Sequence, residues 1–273
     1  MNRTFALAEL ESRNTGAAVP VQPSLSDPRG VAVRDFWSEY VARYRRGEYR
    51  AVVFRDMVLE EAERFGGLPT FLDIGCGSGF DGDRRLQKSL AARSGRYIGI
   101  EPDPAVPVGE YFHEVHRCIL EESAIPARSI DIAFAVMVLE HVSAPSRFLK
   151  RVHEVLVDGG VFLGFTMDAR HHFCALSACA QQLGLKHAYL RLLHRSDGNR
   201  RSRSYPSWYR ANCPSDLEKD TGLFKRCEWM SFSRIGEVDW YLPRLLRPIG
   251  RFLDRFIVSS RRPGSILVVR LEK

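Results

Sequence analysis

The sequence predicts an α/β fold, a doubly wound and mostly parallel sheet with an inserted lid. Short apolar strands alternate with helical segments between residues 70 and 168. A glycine-rich turn, "GCGSG", follows the first of these strands. The alternation stops after residue 168, where a segment rich in Arg, His, Tyr and Trp begins. Strands that alternate with helices form a parallel sheet covered on both faces, and the segment that follows them is expected to form the lid.

The individual elements follow from apolar periodicity and from glycine stops. The predicted strands are "TFLDIG" (70–75), "RYIGIEPD" (96–103), "IDIAFAVMVLEH" (130–141, at its start), "VFLGFTMD" (161–168), "RCEWMSF" (226–232) and "SILVVRLEK" (265–273). The predicted helices cover 31–44, 50–65, 83–93 and 144–160. The expected organisation is a loosely ordered arm (1–30), N-terminal helices (31–67), a core (68–168), a lid (169–225) and closing strands (226–273) with an apolar, basic helical insertion at 240–257.

Composition limits the class of protein without choosing a partner. The chain has 273 residues, 45% of them hydrophobic, which fits one sizeable α/β domain or one domain with a lid. A formal charge of +7 favours acidic partners in general. No two cysteines have C-x-x-C spacing, and no apolar run suggests a signal peptide or a membrane span. A cytoplasmic location is therefore expected, and the sequence gives no oligomeric state.

The glycine-rich turn excludes two phosphate-binding motifs. Gly75, Gly77 and Gly79 form G-x-G-x-G, whereas a dinucleotide fingerprint needs glycine where Phe80 stands. A P-loop needs a lysine that the turn lacks. Asp73, just before the turn, disfavours an anion and suits a cationic or amino-bearing ligand.

The second strand ends in Glu101, which is placed to accept hydrogen bonds from ribose hydroxyls. NAD enzymes share that feature. Together with Asp73 and G-x-G-x-G, however, it points to S-adenosylmethionine (SAM), whose sulfonium and ammonium are positive and which carries no phosphate.

Three separated motifs, "FLDIGCGSG", "YIGIEPD" and "SIDIAFAVMVLEHVSAPSRFLKRVHEVLVDGGVFLGFT", resemble those of class I SAM-dependent methyltransferases over about residues 68–168. The closest likeness is to the subgroup with L-E-H-V after strand 4, and the lid resembles that of relatives in glycan and natural-product pathways. The resemblance implies a seven-stranded sheet with one antiparallel strand near the C-terminus, "SILVVRLEK". It also implies site residues: Asp73, Gly75 and Gly77 for the methionine part, Glu101 with Pro102 for the ribose, Leu120 and Glu121 for the adenine, and Ala135, Val136 and Met137 facing the sulfonium.

The residues that would deprotonate an acceptor are less constrained. Apolar side chains after strand 4 disfavour a divalent metal, so no metal ligand is predicted. His141, beside Glu140, is a candidate general base. The alternative is that this pair only caps and packs the start of the next helix. His171 is a further candidate base, and the His171–His172 pair has no partner ligands at metal-binding spacing.

The lid segment "YPSWYRANCPSDL" (205–217) holds the candidate substrate residues. Aromatic rings there would stack on a sugar or aromatic acceptor, an arginine would bind a carboxylate or phosphate, and an amide would bond a hydroxyl. The alternative is that the rings pack the lid onto the sheet and the arginine forms an ion pair. The residues concerned are Tyr205, Trp208, Tyr209, Arg210 and Asn212.

Residues 240–257 mix large apolar side chains with arginines. The alternatives are a peripheral membrane contact and a helix packed on its own domain.

The favoured activity is SAM-dependent, metal-independent methylation of a hydroxyl on a small molecule or glycan. N-methylation of an amino sugar or small amine is the main alternative. An RNA substrate is disfavoured by the lack of an RNA-binding module, and a non-catalytic SAM-binding scaffold is a further alternative.

Overall fold

The computed structural model describes residues 37–77, 79–174, 206–237, 239, 242–260 and 262–273. The chain forms two compact units. Of the described residues, the larger unit holds those within 48–167, 205–231 and 266–273, and the smaller unit holds those within 1–47, 168–204 and 232–265. The predicted arm (1–30) and most of the predicted lid lie outside the described residues.

The predicted fold class is confirmed. Seven strands of the described chain form one sheet in the order β3-β2-β1-β4-β5-β7-β6. The strands β1 to β5 pair in parallel, and β7 runs antiparallel to β5. The strands are β1 Thr70–Ile74, β2 Arg96–Ile100, β3 Glu114–His116, β4 Ile130–Val136, β5 Leu156–Met167, β6 Arg226–Phe232 and β7 Ile266–Glu272.

Helices separate the strands much as the periodicity predicts. The α-helices are α1 Ser38–Arg45, α2 Arg50–Glu63, α3 Arg84–Ala91, α4 Pro145–Val155, α5 Pro214–Leu217 and α6 Arg247–Ser259. Single 3₁₀ turns occur at Leu120–Glu122, Leu139–His141, Thr221–Leu223 and Arg244–Leu246. None of the described helices has both the length and the apolar character needed to span a bilayer.

The boundary between the fourth predicted helix and the strand after it differs from the prediction. The helix predicted over 144–160 ends at Val155, and β5 begins at Leu156. The reason is pairing: Leu156 lies opposite Ile130 of β4, and the main chains of 159–160 and Lys273 exchange hydrogen bonds of 3.0 Å. The sequence prediction also missed β3, because its three partly buried residues, Glu-Val-His, are too few for a periodic pattern.

The core of the larger unit lies on both faces of the sheet. On one face the ring of Phe54 in α2 stacks on Phe165 of β5, with ring centres 4.4 Å apart. Arg270 of β7 forms a buried, two-pronged ion pair with Glu61 of α2, at 2.6 and 3.2 Å. A shift of α2 that separated the two side chains would leave both buried charges uncompensated, which costs free energy. The pair therefore holds α2 in a defined position on the sheet.

Candidate functional site

The glycine turn passes over the carboxyl ends of β1 and β2. The main-chain N–H groups of Gly75 and Cys76 both donate to the carbonyl of Ile100, at 2.8 and 2.9 Å. Gly75 has φ +76°, and a Cβ there would lie 2.4 Å from Cγ2 of Val138. Glycine is therefore required at this position both by conformation and by the close approach of the segment after β4.

Gly77 faces the carboxylate of Glu101. A Cβ on Gly77 would lie 2.9 Å from Oε2 of Glu101. Glu101 is buried, and its Oε1 accepts a hydrogen bond of 2.9 Å from the main-chain N–H of Asp103. This bond fixes the carboxylate so that its second oxygen lies beside the turn. The neighbouring Pro102 is exposed.

Asp73 lies beneath the turn. Its Oδ2 accepts hydrogen bonds from the amide of Gln87 at 2.8 Å and from the phenol of Tyr97 at 2.7 Å. The same Gln87 amide nitrogen also donates to the carbonyl of Cys76. Oε1 of Gln87 accepts a hydrogen bond of 2.5 Å from the Tyr111 hydroxyl. Burial raises the pKa of Asp73 to about 6, while the two hydrogen bonds act in the opposite direction. A nearby ligand cation would favour the carboxylate form.

Gly79 and Phe80 shape the entry into α3. Gly79 has φ +130°, and a Cβ there would lie 2.7 Å from the main-chain nitrogen of Arg84. Phe80 is buried, with its ring edge-on to Phe134 at 5.7 Å. Asp83 caps α3 by accepting from the N–H of Arg85 at 2.8 Å. Thus the third glycine serves the turn into the helix.

The remaining predicted cofactor residues follow β3 and β4. Leu120 is buried in the hydrophobic core, and Glu121 beside it is partly buried. Ala135 is buried at the end of β4, and Val136 is partly buried. Met137 has φ +55°, a left-handed conformation that non-glycine residues rarely adopt and that occurs often at functional sites. Its N–H donates to the carbonyl of Phe165 at 2.7 Å.

A buried polar cluster, formed by Glu140, Thr166 and Asn212, lies at the carboxyl ends of β4 and β5. The Thr166 hydroxyl donates to Glu140 at 2.7 Å and accepts from the Asn212 amide at 2.7 Å. That amide also donates to the carbonyl of Met167 at 2.9 Å. Burial raises the pKa of Glu140. Sequence reasoning missed Thr166; its only sequence signal was a polar residue near the end of an apolar strand.

Residues 206–212 lie against the turn after β4. The N–H groups of Trp208 and Tyr209 donate to the carbonyl of Glu140, at 2.7 and 3.3 Å. Nδ1 of His141 lies 2.8 Å from the carbonyl oxygen of Pro206. The structure therefore brings His141 together with three of the five predicted substrate residues, Trp208, Tyr209 and Asn212. Of the other two, Arg210 lies in the same segment and Tyr205 lies outside the described residues.

Trp208 and Arg210 form the exposed part of this segment. Trp208 is 49% exposed, and the Arg210 guanidinium lies over its ring at 5.1 Å from the ring centre. Arg210 also donates to the carbonyl of Ser143 at 2.8 Å. By contrast, Asn212 is fully buried, and its Oδ1 has no hydrogen-bond partner within the described part of the chain.

His171, the second candidate base, belongs to the smaller unit. Its ring centre lies 4.1 Å from that of His172, and burial followed by the His172 charge lowers its pKa to about 3. His171 is therefore neutral at physiological pH. The sequence predicts no further metal ligand near this pair. In the structure Asp254 lies beside it, and potential ligand atoms of His171, His172 and Asp254 are within 4.8 Å of one another.

The sheet order, the glycine turn facing a carboxylate at the end of β2, and the turn after β4 together define the class of SAM-dependent methyltransferases. A family model described as a methyltransferase domain matches residues 41–212, and the chain belongs to that family. It is a SAM-dependent methyltransferase, and SAM is its cofactor.

Relatives and solved structures agree with this class. The chain is 27% identical over 190 residues to a ubiquinone biosynthesis O-methyltransferase of Rhodopseudomonas palustris, covering 62% of this chain and 71% of that protein. It is 27% identical over 157 residues to a protein of the same name from Bradyrhizobium diazoefficiens, covering 52% and 60%. A SAM-dependent methyltransferase structure from Archaeoglobus fulgidus has a TM-score of 0.50 at 13% identity, covers 85% of this chain and 97% of its own, and shares the fold.

The described residues fit SAM. The absence of a side chain on Gly77 lets the main chain of the turn lie close to the Glu101 carboxylate, a group that accepts hydrogen bonds from hydroxyl donors. Glu101 and Gly77 would hold the ribose side, and the turn above Asp73 would hold the amino-acid side.

Proposed function

We propose that the chain transfers a methyl group from SAM to a hydroxyl of a small molecule or glycan, without a metal ion. The observation that carries the proposal is the position and hydrogen bond of His141, in the turn that follows β4. The names of the two bacterial relatives, both O-methyltransferases, support the same reaction type. A cytoplasmic location remains the expectation that goes with it.

The hydrogen bond of His141 selects one tautomer of its ring. A carbonyl oxygen can only accept, so the contact of Nδ1 with the Pro206 carbonyl requires the proton to be on Nδ1. The neutral ring then carries its lone pair on Nε2. A histidine fixed in this way is suited to accept a proton from an acceptor hydroxyl.

A hydroxyl acceptor gives this histidine a chemical task. SAM, when bound, supplies an electrophilic methyl group on a sulfonium. A hydroxyl loses its proton as the new carbon–oxygen bond forms and the methyl–sulfur bond breaks, which leaves S-adenosylhomocysteine, and His141 would take that proton. A neutral amine already offers a lone pair and needs no base in the same step. The geometry of His141 therefore favours O-methylation over the alternative N-methylation.

Asn212 provides a second reason to expect a polar acceptor. Its Oδ1 is buried and lacks a hydrogen-bond partner among the described residues, and a buried acceptor left without a donor is costly. A hydroxyl of the acceptor molecule would satisfy it. We propose that Trp208, Tyr209 and Arg210 contact the same molecule, with the exposed Trp208 ring available for stacking.

The absence of a metal is part of the proposal. Val136, Met137 and Val138 follow β4 and offer no oxygen ligands from their side chains. The nearest carboxylate in the sequence, Glu140, is buried and accepts a hydrogen bond from Thr166. Direct transfer with proximity and a base requires nothing further from a cation.

The proposal is tested by mass spectrometry after incubation of the full chain with isotopically labelled SAM and two acceptor pools. One pool contains hydroxylated aromatic compounds and free sugars, and the other contains amino sugars and small amines. We expect the labelled methyl on oxygen in the first pool, with activity unchanged by excess EDTA. Label found on nitrogen alone, or lost on chelation, would contradict the proposal.

A further inference from the structure

The helix α6 of the smaller unit exposes a row of large apolar side chains. Ile249 is 59% exposed, Phe252 68% and Phe256 49%. Their spacing, i, i+3 and i+7, places them on one side of the helix. The 3₁₀ turn before the helix extends the row, with Leu245 at 90% exposure. We call the whole surface the α6 face; it consists of Leu245, Leu246, Ile249, Phe252, Leu253 and Phe256.

A different side of α6 packs on the smaller unit. Gly250, Asp254 and Ile257 are its buried residues. Asp254 is fixed there by the N–H of Gly236, which donates to its Oδ2 at 2.8 Å. Because the helix is already held by this side, the α6 face is not the side that forms the core. This distinguishes it from a helix whose apolar stripe faces its own domain.

Positive charge borders the α6 face. The segment carries four arginines and a single acid, Asp254, which is buried on the packed side. At a rotation of 100° per residue, Arg255 lies next to Phe252 of the apolar row, and Arg244 is exposed in the turn before the helix. Arg247 and Arg251 lie nearer the packed side, where Arg251 pairs with Asp239 at 2.7 Å and Arg247 donates to the carbonyl of Leu242 at 3.3 Å. Arg262 adds a further positive charge, with its guanidinium 5.0 Å from the centre of the Phe256 ring. The four arginines are Arg244, Arg247, Arg251 and Arg255.

We propose that the α6 face lies on an anionic membrane surface, with its apolar row in the headgroup–acyl boundary and with Arg244 and Arg255 at the lipid phosphates. Large apolar side chains on one side and basic side chains beside them are typical of helices that lie in the interfacial plane. Arginine stems can extend along the apolar boundary while the guanidinium groups remain with the headgroups. The charge pattern complements anionic lipid, whereas a purely apolar protein contact would not require the arginine border.

The test is co-sedimentation of the full chain with vesicles of phosphatidylcholine alone and of phosphatidylcholine with phosphatidylglycerol. We expect binding to the anionic vesicles that weakens as salt is raised. The double variant F252S/F256S should bind at least tenfold more weakly. The double variant R244Q/R255Q should lose the preference for anionic vesicles. The control L223S changes another exposed apolar residue, in the larger unit, and should bind as the wild type does.

Circular dichroism melting of each variant keeps the result interpretable, because solvent-facing substitutions should leave the unfolding transition unchanged. Equal binding of wild type and F252S/F256S would overturn the proposal, as would no binding to either vesicle. A third result would also overturn the proposal: the chain self-associates in a concentration-dependent way that requires Phe252, and it does not bind vesicles. That result would assign the α6 face to contact with a second copy of the chain.

Discussion

Glu101→Ala is expected to weaken SAM binding about 100-fold. The buried carboxylate has one oxygen fixed by the Asp103 N–H and the other beside Gly77, where it would accept from ribose hydroxyls. Charge-assisted hydrogen bonds contribute about 1.5–3 kcal/mol each, and a loss of about 2.7 kcal/mol corresponds to this change in affinity. Equilibrium titration of both proteins with SAM measures it.

The matched control for this prediction is Glu110→Ala, which removes an exposed carboxylate from the loop between β2 and β3. The SAM affinity of this variant should remain within about twofold of wild type, because an exposed carboxylate in high-dielectric solvent contributes little to the free energy of SAM binding. Glu101→Gln keeps a hydrogen-bond acceptor without the charge and should fall between the two. An unchanged affinity in Glu101→Ala would remove this residue from the cofactor site.

His141→Gln is expected to lower turnover about 100-fold while leaving SAM affinity unchanged, since general-base catalysis contributes factors of about 100 or more. Gln can retain the hydrogen bond to the Pro206 carbonyl, but its amide cannot accept a proton at physiological pH. The variant therefore separates a role in proton transfer from a role in holding residues 206–212.

Comparison of turnover with the KM for the acceptor provides the readout that separates the two roles. Loss of the base should lower turnover with little change in that KM, whereas disturbance of residues 206–212 should raise it. His172→Gln is a suitable control because His172 is exposed and belongs to the other unit. Full turnover in His141→Gln would leave proximity, or a water molecule, as the source of catalysis.

The positions of the predicted cofactor residues could be expected from the sequence because their signals are local. Gly75, Gly77 and Glu101 each follow a short apolar strand, and parallel strands bring their carboxyl ends to one edge of the sheet. Asp73 was also singled out from the sequence, but its contacts were not expected. Its hydrogen bonds to Gln87 and Tyr97 depend on how α3 and β2 pack around β1.

The contacts around the proposed acceptor residues were less predictable because they join residues that are distant in sequence. Thr166 bonds Glu140 across 26 positions, and Asn212 bonds Thr166 across 46. No periodicity or motif connects such residues before the fold is known. Likewise, the sequence showed an apolar and basic stripe at 240–257, but only the buried positions of Gly250, Asp254 and Ile257 show which side of α6 is packed.

We propose that the glycine turn and Glu101 form a SAM site and not a dinucleotide site. Calorimetric titration of the full chain with SAM and, separately, with NAD⁺ distinguishes the two kinds of site. We expect saturable binding of SAM that S-adenosylhomocysteine competes away, and no measurable heat of binding with NAD⁺. Binding of NAD⁺ without binding of SAM would contradict it.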